Sequence, residues 1–480
     1  MRSRWTRWGL SSGGAVLLAL LGLWLSTGVG EVHRAHLPVN FRLADPVPGE
    51  EDWPWWRGPR QNGFVDQSQP PVRWSQSANV GWQARISGSG HSSPIVWDGR
   101  VYVAAADEKQ DSLLLECFDR DSGRPLWTST VQRGGFPPNG ARGSPPFSTP
   151  ACDGERMFLV SDQAGKLTVT AVDLAGKLLW QREAGPYSST WGYMASPVVS
   201  GSLVIVSGDQ RGAPADRLRG ASFLAALHRQ TGEIIWRILR PAGDSYGTPI
   251  VARIAGREQL VLPGRRGVTA YNPADGTMLW TCRWTADRPV GSVAFDEDCV
   301  YASIRYPNEQ IVCIRADGSG DVTASHVIWR ERRSASDLPS PLVCDSDLLI
   351  LADDGVLTCL EKATGKARWK KRLQGRFSAS PVAMGKYLYC VNEAGIVSVV
   401  DRTSRGELIA ENQVGQGCFA SPAISGNRLL FRTAQGLLLV QPPPVGPVCR
   451  CAEAGASPIL KLDHLGRSSS VGDSPPALRL

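Results

Sequence analysis

The stretch DRDSGRPLW, from Asp119 to Trp127, decides the fold of this chain because close copies of it recur. In each copy a polar residue opens a turn, Gly follows four positions later, and Trp comes four positions after the Gly. Three further copies keep this spacing, and they are HRQTGEIIW (228–236), NPADGTMLW (272–280) and EKATGKARW (361–369). VDLAGKLLW (172–180) shortens the turn by one residue, whereas DRTSRGELI (401–409) lengthens it by one and ends in an aliphatic pair. Repetition of this kind is typical of repeat architectures.

A second marker alternates with the first, and it is a small residue followed by Pro and a β-branched run. The proline positions are 94, 150, 197, 249, 341, 381 and 422, and Val293 fills the remaining copy. The eight copies are spaced by about 47 residues on average, which is the period of propeller blades. Within each unit, Gly turns separate four short β-rich runs, as in residues 380–410. The sequence therefore predicts an all-β fold, an eight-bladed β-propeller with four-stranded antiparallel blades.

The two ends of the repeat array complement each other. The last unit, from Pro422, contains three strand-like runs and lacks a fourth. GWQARI (81–86) is a Trp strand without three strands before it, and Trp82 precedes Pro94 by the same interval that separates Trp369 from Pro381. We therefore predict that this N-terminal strand completes the last blade and closes the ring, which removes two open sheet edges.

The segments outside the array have distinct compositions. Three arginines precede an uncharged apolar run from Gly9 to Gly30, so residues 1–30 are predicted to be a signal peptide or a transmembrane anchor. Residues 31–51 are predicted to be a polar linker, residues 52–440 the propeller, and residues 441–480 a disordered tail rich in Pro, Ser and Gly. The body is expected outside the cytoplasm, on the periplasmic side of the inner membrane, either anchored through residues 9–30 or released after cleavage.

Charge and cysteine content exclude several functions. A formal charge of +7, from 52 basic and 45 acidic residues that are scattered along the chain, does not indicate a nucleic-acid partner. The 11 cysteines form no haem or zinc motif, and the six histidines show no metal-ligand spacing. Cys299 with Cys313 and Cys344 with Cys359 are candidate disulfide pairs, whereas the other reading makes most cysteines small buried hydrophobes.

The D-x-x-(T/S)-G-x-x-x-W unit between Ser-Pro strands resembles the pyrroloquinoline-quinone (PQQ) repeat of quinoprotein alcohol dehydrogenases and of BamB, a non-enzymatic propeller of outer-membrane barrel assembly. The segment DWPWWRGPRQNGF (52–64), with the stretches 187–208 and 245–264, looks like the exported bacterial PQQ-binding-like β-propeller repeat proteins. The resemblance covers roughly residues 52–440 and implies the propeller fold. It leaves catalysis and scaffolding both open, because the fold hosts both.

The resemblance also implies what an enzyme of this group requires: an Asp base, calcium ligands, an Arg and a Trp around the quinone, and often a vicinal Cys-Cys pair. No two cysteines are adjacent here, and no Asp/Asn/Glu set matches the calcium ligands. We expect a non-catalytic binding or scaffolding propeller of the cell envelope with a protein or peptide partner and without a bound cofactor or metal. The alternative is a PQQ- and calcium-dependent quinoprotein alcohol dehydrogenase, which a carboxylate in the funnel near Arg376 or Trp191 would favour.

Candidate binding residues lie three positions before the markers or close to those positions, where the chain opens on the central funnel. The predicted funnel ring contains several aromatic or charged side chains that could bind a planar ligand or a peptide. Its members are His91, Phe147, Trp191, Tyr246, Arg376, Phe377 and Phe419. The alternative is that these side chains pack between adjacent blades.

Two further features have structural interpretations. The tryptophans of DWPWWRGPRQNGF precede the closing strand, so this segment is predicted to cross the propeller surface and to cover a blade edge or plug the funnel, with Arg57 stacked on an indole. An exposed aromatic patch for a partner is the alternative. Asp353-Asp354-Gly355 resembles a calcium loop, but related polar-Gly turns recur in other units, so we expect a hairpin turn there.

Overall fold

The computed structural model of the chain describes residues 43–67, 69–75, 78–135, 148–189, 191–210, 221–284, 286 and 288–443, and the backbone of residues 33–34. Within these ranges the regular structure consists of β-strands, and no helix is both long and apolar enough to cross a bilayer. The predicted signal or anchor segment (1–30) lies outside the described residues. The same holds for the predicted tail from residue 444 onward.

Eight antiparallel four-stranded blades confirm the predicted propeller, and we number them in chain order. The first four blades, each from its innermost strand outward, are Ile95–Trp97, Arg100–Asp107, Ser112–Asp119 and Pro125–Arg133; Ala151–Cys152, Arg156–Gln163, Lys166–Asp173 and Leu178–Pro186; Val198–Ser200, Leu203–Gly208, Ser222–His228 and Ile234–Arg240; and Ile250–Ile254, Arg257–Gly264, Gly267–Tyr271 and Met278–Arg283.

The remaining four blades follow the same order. They are Ala294–Phe295, Cys299–Ile304, Gln310–Arg315 and Val327–Glu331; Leu342–Cys344, Asp347–Leu351, Val356–Glu361 and Ala367–Arg372; Val382–Met384, Tyr387–Val391, Ile396–Asp401 and Glu407–Gln413; and Ala423–Ser425, Arg428–Thr433, Gly436–Val440 and Val80–Arg85. Three short strands extend individual blades: His33–Arg34 on blade 3, Gly320–Asp321 on blade 4 and Phe64–Val65 on blade 7.

The N-terminal strand closes the ring as predicted. Val80–Arg85, which begins one residue earlier than the predicted strand, pairs antiparallel with Gly436–Val440, and Trp82 lies opposite Leu439. Blade 8 is therefore built from both ends of the array. The hydrophobic core lies mainly between blades, where side chains of neighbouring sheets form joint clusters.

The recurring Trp and Gly meet across the blade boundaries. The Trp180 indole of blade 2 packs on Gly232 in the turn of blade 3, and its Nε1–H donates to the carbonyl oxygen of Arg229 at 3.1 Å. Gly232 has φ +72, a conformation that favours glycine, and a Cβ at this position would lie 2.6 Å from the Trp180 ring. We call this contact the Trp–Gly latch, and it gives a physical reason why Trp and Gly recur together in most copies of the repeat.

The nine described cysteines are buried free thiols, so neither candidate disulfide forms. Cys313 lies opposite Tyr301 and Cys299 opposite Arg315, so the two cysteines are diagonal neighbours on adjacent strands, and their thiols interact without a covalent bond. Cys344 and Cys359 lie on strands that are separated by Asp347–Leu351. Of the two interpretations left open by the sequence, cross-strand pairing is found for neither pair, and the interpretation as small buried residues holds for these nine.

Candidate functional site

The segment from residue 52 to residue 65 crosses one end of the central channel, and we call it the plug. It bonds to the innermost strands of blades 1, 2, 4 and 7, which lie on different sides of the ring. The contacts are Trp53 with Val96, Pro54 with Cys152, Gln61 with Val251 and Gly63 with Ala383, at 2.8–2.9 Å. All four partners lie within innermost strands, beyond their first residues. The plug therefore covers the channel at the end toward which these strands run.

Arg57 ties the plug to blade 6. Its side chain is 2% exposed and donates to the carbonyl oxygens of Pro341 at 2.8 Å and Asn62 at 3.0 Å. The guanidinium also lies over the Trp56 ring, 5.6 Å from its centroid. Burial lowers the pKa of Arg57 to about 10, so the group is still a cation at neutral pH. Trp53 and Trp55 are buried with it, in agreement with the predicted packing role of this segment.

A cavity of about 560 Å³ occupies the other end of the channel, where the innermost strands begin. Trp56 is half-buried and reaches the cavity from the plug. The described side chains three positions before the markers all line it: His91, Met194, Tyr246, Val290, Leu338, Ser378 and Phe419. The cavity therefore has a mixed apolar and polar wall, with the plug at its closed end.

The structure brings five members of the predicted funnel ring together: His91, Trp191, Tyr246, Arg376 and Phe419. Phe377 is 1% exposed and packs in the core between blades 6 and 7. Its neighbour Arg376 is exposed and lines the cavity, so the chain turns consecutive side chains to opposite sides at this point. Phe147 lies outside the described residues. The role of the ring in binding stays a prediction.

A ring of eight hydroxyl side chains forms the inner wall, and we call it the collar. Its members directly precede the markers: Ser93, Thr149, Ser196, Thr248, Ser292, Ser340, Ser380 and Ser421. In six of the eight pairs of neighbouring members, the backbone N–H of one member donates to the hydroxyl oxygen of the member in the next blade, at 2.9–3.0 Å. The collar thus fixes the innermost strands relative to one another. The marker in the sequence was defined only by a small residue at this position. The signal that identifies the collar is that all eight of these residues carry a hydroxyl.

Blades 5 to 7 contribute the charged side of the cavity. The Ser378 hydroxyl donates to the Glu393 carboxylate at 2.6 Å, and Glu393 comes from the turn between two strands of the same blade. Arg376 is exposed beside them and makes no ion pair with any described residue. Arg288 lies 3.9 Å from the Asp337 carboxylate. This side of the cavity therefore offers cationic donors and an anionic acceptor next to each other.

The remaining blades contribute aromatic groups. The His91 and Phe419 rings meet edge to face with centroids 4.6 Å apart. Burial, aided by the charge of Arg432, lowers the pKa of His91 to about 4, so this imidazole is neutral at physiological pH. The hydroxyls of Tyr246 and Ser189 are 3.0 Å apart, which fixes the tyrosine. These groups form a largely uncharged wall opposite the charged side.

Asp353 has a structural role in the turn that resembles a calcium loop. Its carboxylate accepts the backbone N–H groups of Asp337 and Leu338, both at 2.9 Å, and pairs with Arg305 at 3.1 Å. Asp353 thereby orders the loop around Asp337 and Leu338, which precedes the innermost strand of blade 6 and lines the cavity. Among the described residues, no cluster of three or more His, Cys, Asp or Glu side chains could hold a metal ion.

The blade count, the Trp–Gly latch and the closing strand define a propeller of the PQQ-repeat type. The family model described as "Outer membrane protein assembly factor BamB" matches residues 72–211, 110–325 and 321–441. These matches together span more than half of the chain, and the chain belongs to this family.

Individual members are distant in sequence. BamB of Legionella pneumophila (strain Paris) is 28% identical over 122 residues, which cover 25% of this chain and only 31% of that protein. BamB of Yersinia pestis is 23% identical over 399 residues, which cover 77% of this chain and 88% of that protein. The first of these alignments therefore spans about a third of its relative, whereas the second spans most of it.

Solved structures share the fold. The crystal structure of BamB from Moraxella catarrhalis aligns with a TM-score of 0.53 at 16% identity, covering 75% of this chain and 98% of that one. Quinohemoprotein alcohol dehydrogenase from Comamonas testosteroni aligns with a TM-score of 0.59 at 13% identity, covering 81% of this chain and 80% of that one. At these identities the likeness is one of fold alone, and it includes both a BamB and an alcohol dehydrogenase.

Proposed function

We propose that this protein is a non-catalytic binding propeller of the bacterial cell envelope that holds a protein or peptide partner at its funnel. The observation that carries the proposal is the plugged channel. Because the plug covers one end of the channel, the funnel is a cavity that is closed at that end, within a propeller whose ring is also closed. Its collar fixes the wall before any partner arrives, and a preformed site loses less entropy on binding. Family membership supports the same role, since the relatives are named as outer membrane protein assembly factors.

The proposed location is the periplasmic side of the inner membrane. The arginines before the uncharged run from Gly9 to Gly30 support export, with residues 9–30 as an anchor or a cleaved signal. The scattered charges of the chain support a partner other than nucleic acid.

The runner-up function, a quinoprotein alcohol dehydrogenase, draws support from one observation, the Glu393 carboxylate beside Arg376 in the funnel. The donor set fits the PQQ–calcium pair poorly, however. Calcium takes six to eight oxygen ligands with several carboxylates among them, whereas Glu393 is the one carboxylate among the described residues that line the cavity, and Ser378 already binds it. We therefore derive no catalytic step through a quinone.

A titration separates the two functions. The full-length chain, kept soluble in a mild detergent, is titrated with PQQ and Ca²⁺ while tryptophan fluorescence and dye-linked alcohol oxidation are followed together. We expect neither saturable quenching at micromolar PQQ nor reduction of the dye. Saturable quenching accompanied by dye reduction would establish the enzyme and refute the binding proposal.

The partner is sought by photo-crosslinking in cells, with the crosslinking amino acid at Phe419, which is 37% exposed at the cavity. The matched control position is Glu155, whose side chain is 74% exposed in the turn after the innermost strand of blade 2, at the plug end. We expect a discrete envelope-protein adduct from Phe419 and none from Glu155. Equal adducts at both positions, or none at Phe419, would contradict a funnel-bound partner.

A further inference from the structure

We infer that the funnel cavity binds a neutral carbohydrate, a mono- or disaccharide unit that the partner carries or that occurs free in the envelope. This inference rests on the proposed binding role and names the chemistry that the cavity recognises. Three properties of the wall carry it: its balance of charge, its mixture of hydrogen-bond donors and acceptors, and its aromatic surfaces.

The charges around the cavity nearly cancel. Arg288 and Arg376 are cations, Glu393 is an anion, and Asp337 lies 3.9 Å from Arg288. His91 adds no charge, because burial holds its pKa near 4. A cavity that binds a multiply charged ligand needs an excess of the opposite sign, since a desolvated charge without a partner is costly. The wall therefore favours a ligand without net charge.

The hydrogen-bonding groups suit a ligand whose own groups both donate and accept. Arg376 only donates and Glu393 only accepts, and the two residues lie side by side, because the backbone N–H of Glu393 donates to the carbonyl oxygen of Arg376 at 2.9 Å. Each collar hydroxyl that accepts a backbone N–H, such as that of Ser380, keeps its own proton and a second lone pair. Sugar hydroxyls are donors and acceptors at once, so neighbouring hydroxyls of one ring can satisfy a guanidinium and a carboxylate together.

Aromatic groups supply flat apolar surfaces for the C–H faces of a sugar ring. Trp191 is half-buried in the wall, and Arg288 lies 5.8 Å from its ring centroid, which holds the indole in place. Trp56 offers a second indole at the plug end. The volume of about 560 Å³ lies within the usual range of small-molecule sites, roughly 300–1,000 Å³, and admits a mono- or disaccharide.

The test is calorimetric titration of the full-length chain with cellobiose, maltose and N,N′-diacetylchitobiose. The detergent is a polyoxyethylene ether, because maltoside and glucoside detergents carry sugar headgroups themselves. We expect at least one sugar to bind with a Kd of about 1 mM or tighter, which corresponds to about −4 kcal/mol. Failure of all three to bind at about 50 mM, where binding of only about −2 kcal/mol would register, overturns the inference.

Two variants locate the site. Trp191→Ala removes the aromatic surface, and Glu393→Gln replaces the acceptor with a group of nearly the same shape, so the second variant keeps the test valid if the first misfolds. Each is expected to weaken sugar binding by about tenfold or more. Glu183→Gln is the matched control, because Glu183 lies on the exposed outer strand of blade 2 and pairs with Lys166. Sugar binding that both cavity variants leave unchanged would overturn the inference.

The two proposals fail separately. If no sugar binds but the Phe419 crosslink to an envelope protein forms, the binding platform stands and the carbohydrate inference falls. If sugar binds at the cavity but no Phe419 adduct forms, the inference stands for a free sugar and the protein-partner proposal falls. Tight binding of PQQ at the same residues would overturn both.

Discussion

The Trp–Gly latch predicts a specific cost for adding one methyl group at a blade boundary. In Gly232→Ala the new Cβ would lie 2.6 Å from the Trp180 ring, whereas carbon atoms in contact are normally about 3.5–4.0 Å apart. The ring or the turn must therefore move by about 1 Å. Overpacking of this kind costs about 1–3 kcal/mol in the free energy of unfolding, and the left-handed backbone adds about 1–2 kcal/mol.

Gly256→Ala is the matched control because it separates these two terms. Gly256 has φ +75, close to the φ +72 of Gly232, but nothing lies within 4 Å of its Cβ position. The control therefore suffers the same backbone strain without the clash, and both variants gain about 0.4–1 kcal/mol from a less flexible unfolded chain. The expected difference between the two variants is the overpacking term, about 1–3 kcal/mol.

Urea unfolding followed by tryptophan fluorescence measures this difference. With a slope of about 3 kcal/mol per molar urea, we expect the midpoint of Gly232→Ala to lie ~0.5 M below that of Gly256→Ala. Midpoints are compared because a chain of this size need not unfold in two states. Equal midpoints for the two variants would refute the latch as the reason for the Trp–Gly spacing.

Three further outcomes follow from single contacts. Ser380→Ala leaves the buried N–H of Ser340 without its acceptor and should lower stability by about 1–3 kcal/mol, with faster hydrogen exchange at that amide. Asp209→Ala leaves the buried Arg240 guanidinium without its two-pronged partner and should cost about 3–5 kcal/mol in urea unfolding. The pKa of His91 is about 4 in the folded protein and 6.5 ordinarily, so on acidification the unfolded chain binds this proton before the folded protein does. The free energy of unfolding therefore falls as the pH drops from 6.5 to 4. His91→Gln should remove this part of the pH dependence.

The fold was predictable because its signals are local and repeated. The turn Gly and the Trp lie within nine residues of each other, and each copy supports the others, so degraded copies such as the Val293 unit could still be counted. The closing strand was predictable for a related reason: its Trp82 matches the repeat, and the last unit lacks a strand to match. Such agreement between local pattern and global fold is expected of a foldable sequence.

The candidate site was predictable only in part, because its decisive contacts are non-local. Phe64–Val65 pairs parallel with Val382–Met384, which is more than 300 residues away, and no periodic pattern in the sequence predicts such pairing. Phe377 was placed in the funnel ring with Arg376, but consecutive side chains point to opposite sides and Phe377 is in the core. Glu393 enters the cavity from a hairpin turn, which its sequence context marks only as a turn.

The residues directly before the markers and the residues three positions before them differ in how uniform they are among the eight repeats. Directly before each marker the eight repeats agree on a hydroxyl, and six of the eight neighbouring pairs use it for the same bond from one blade to the next. Three positions before the marker the repeats disagree, with residues as different as His91, Leu338 and Ser378 lining one cavity. Such variety is in keeping with the proposed binding of an asymmetric ligand, which contacts each blade differently. Substitutions in the collar should accordingly change stability, and substitutions three residues earlier should change what the propeller binds.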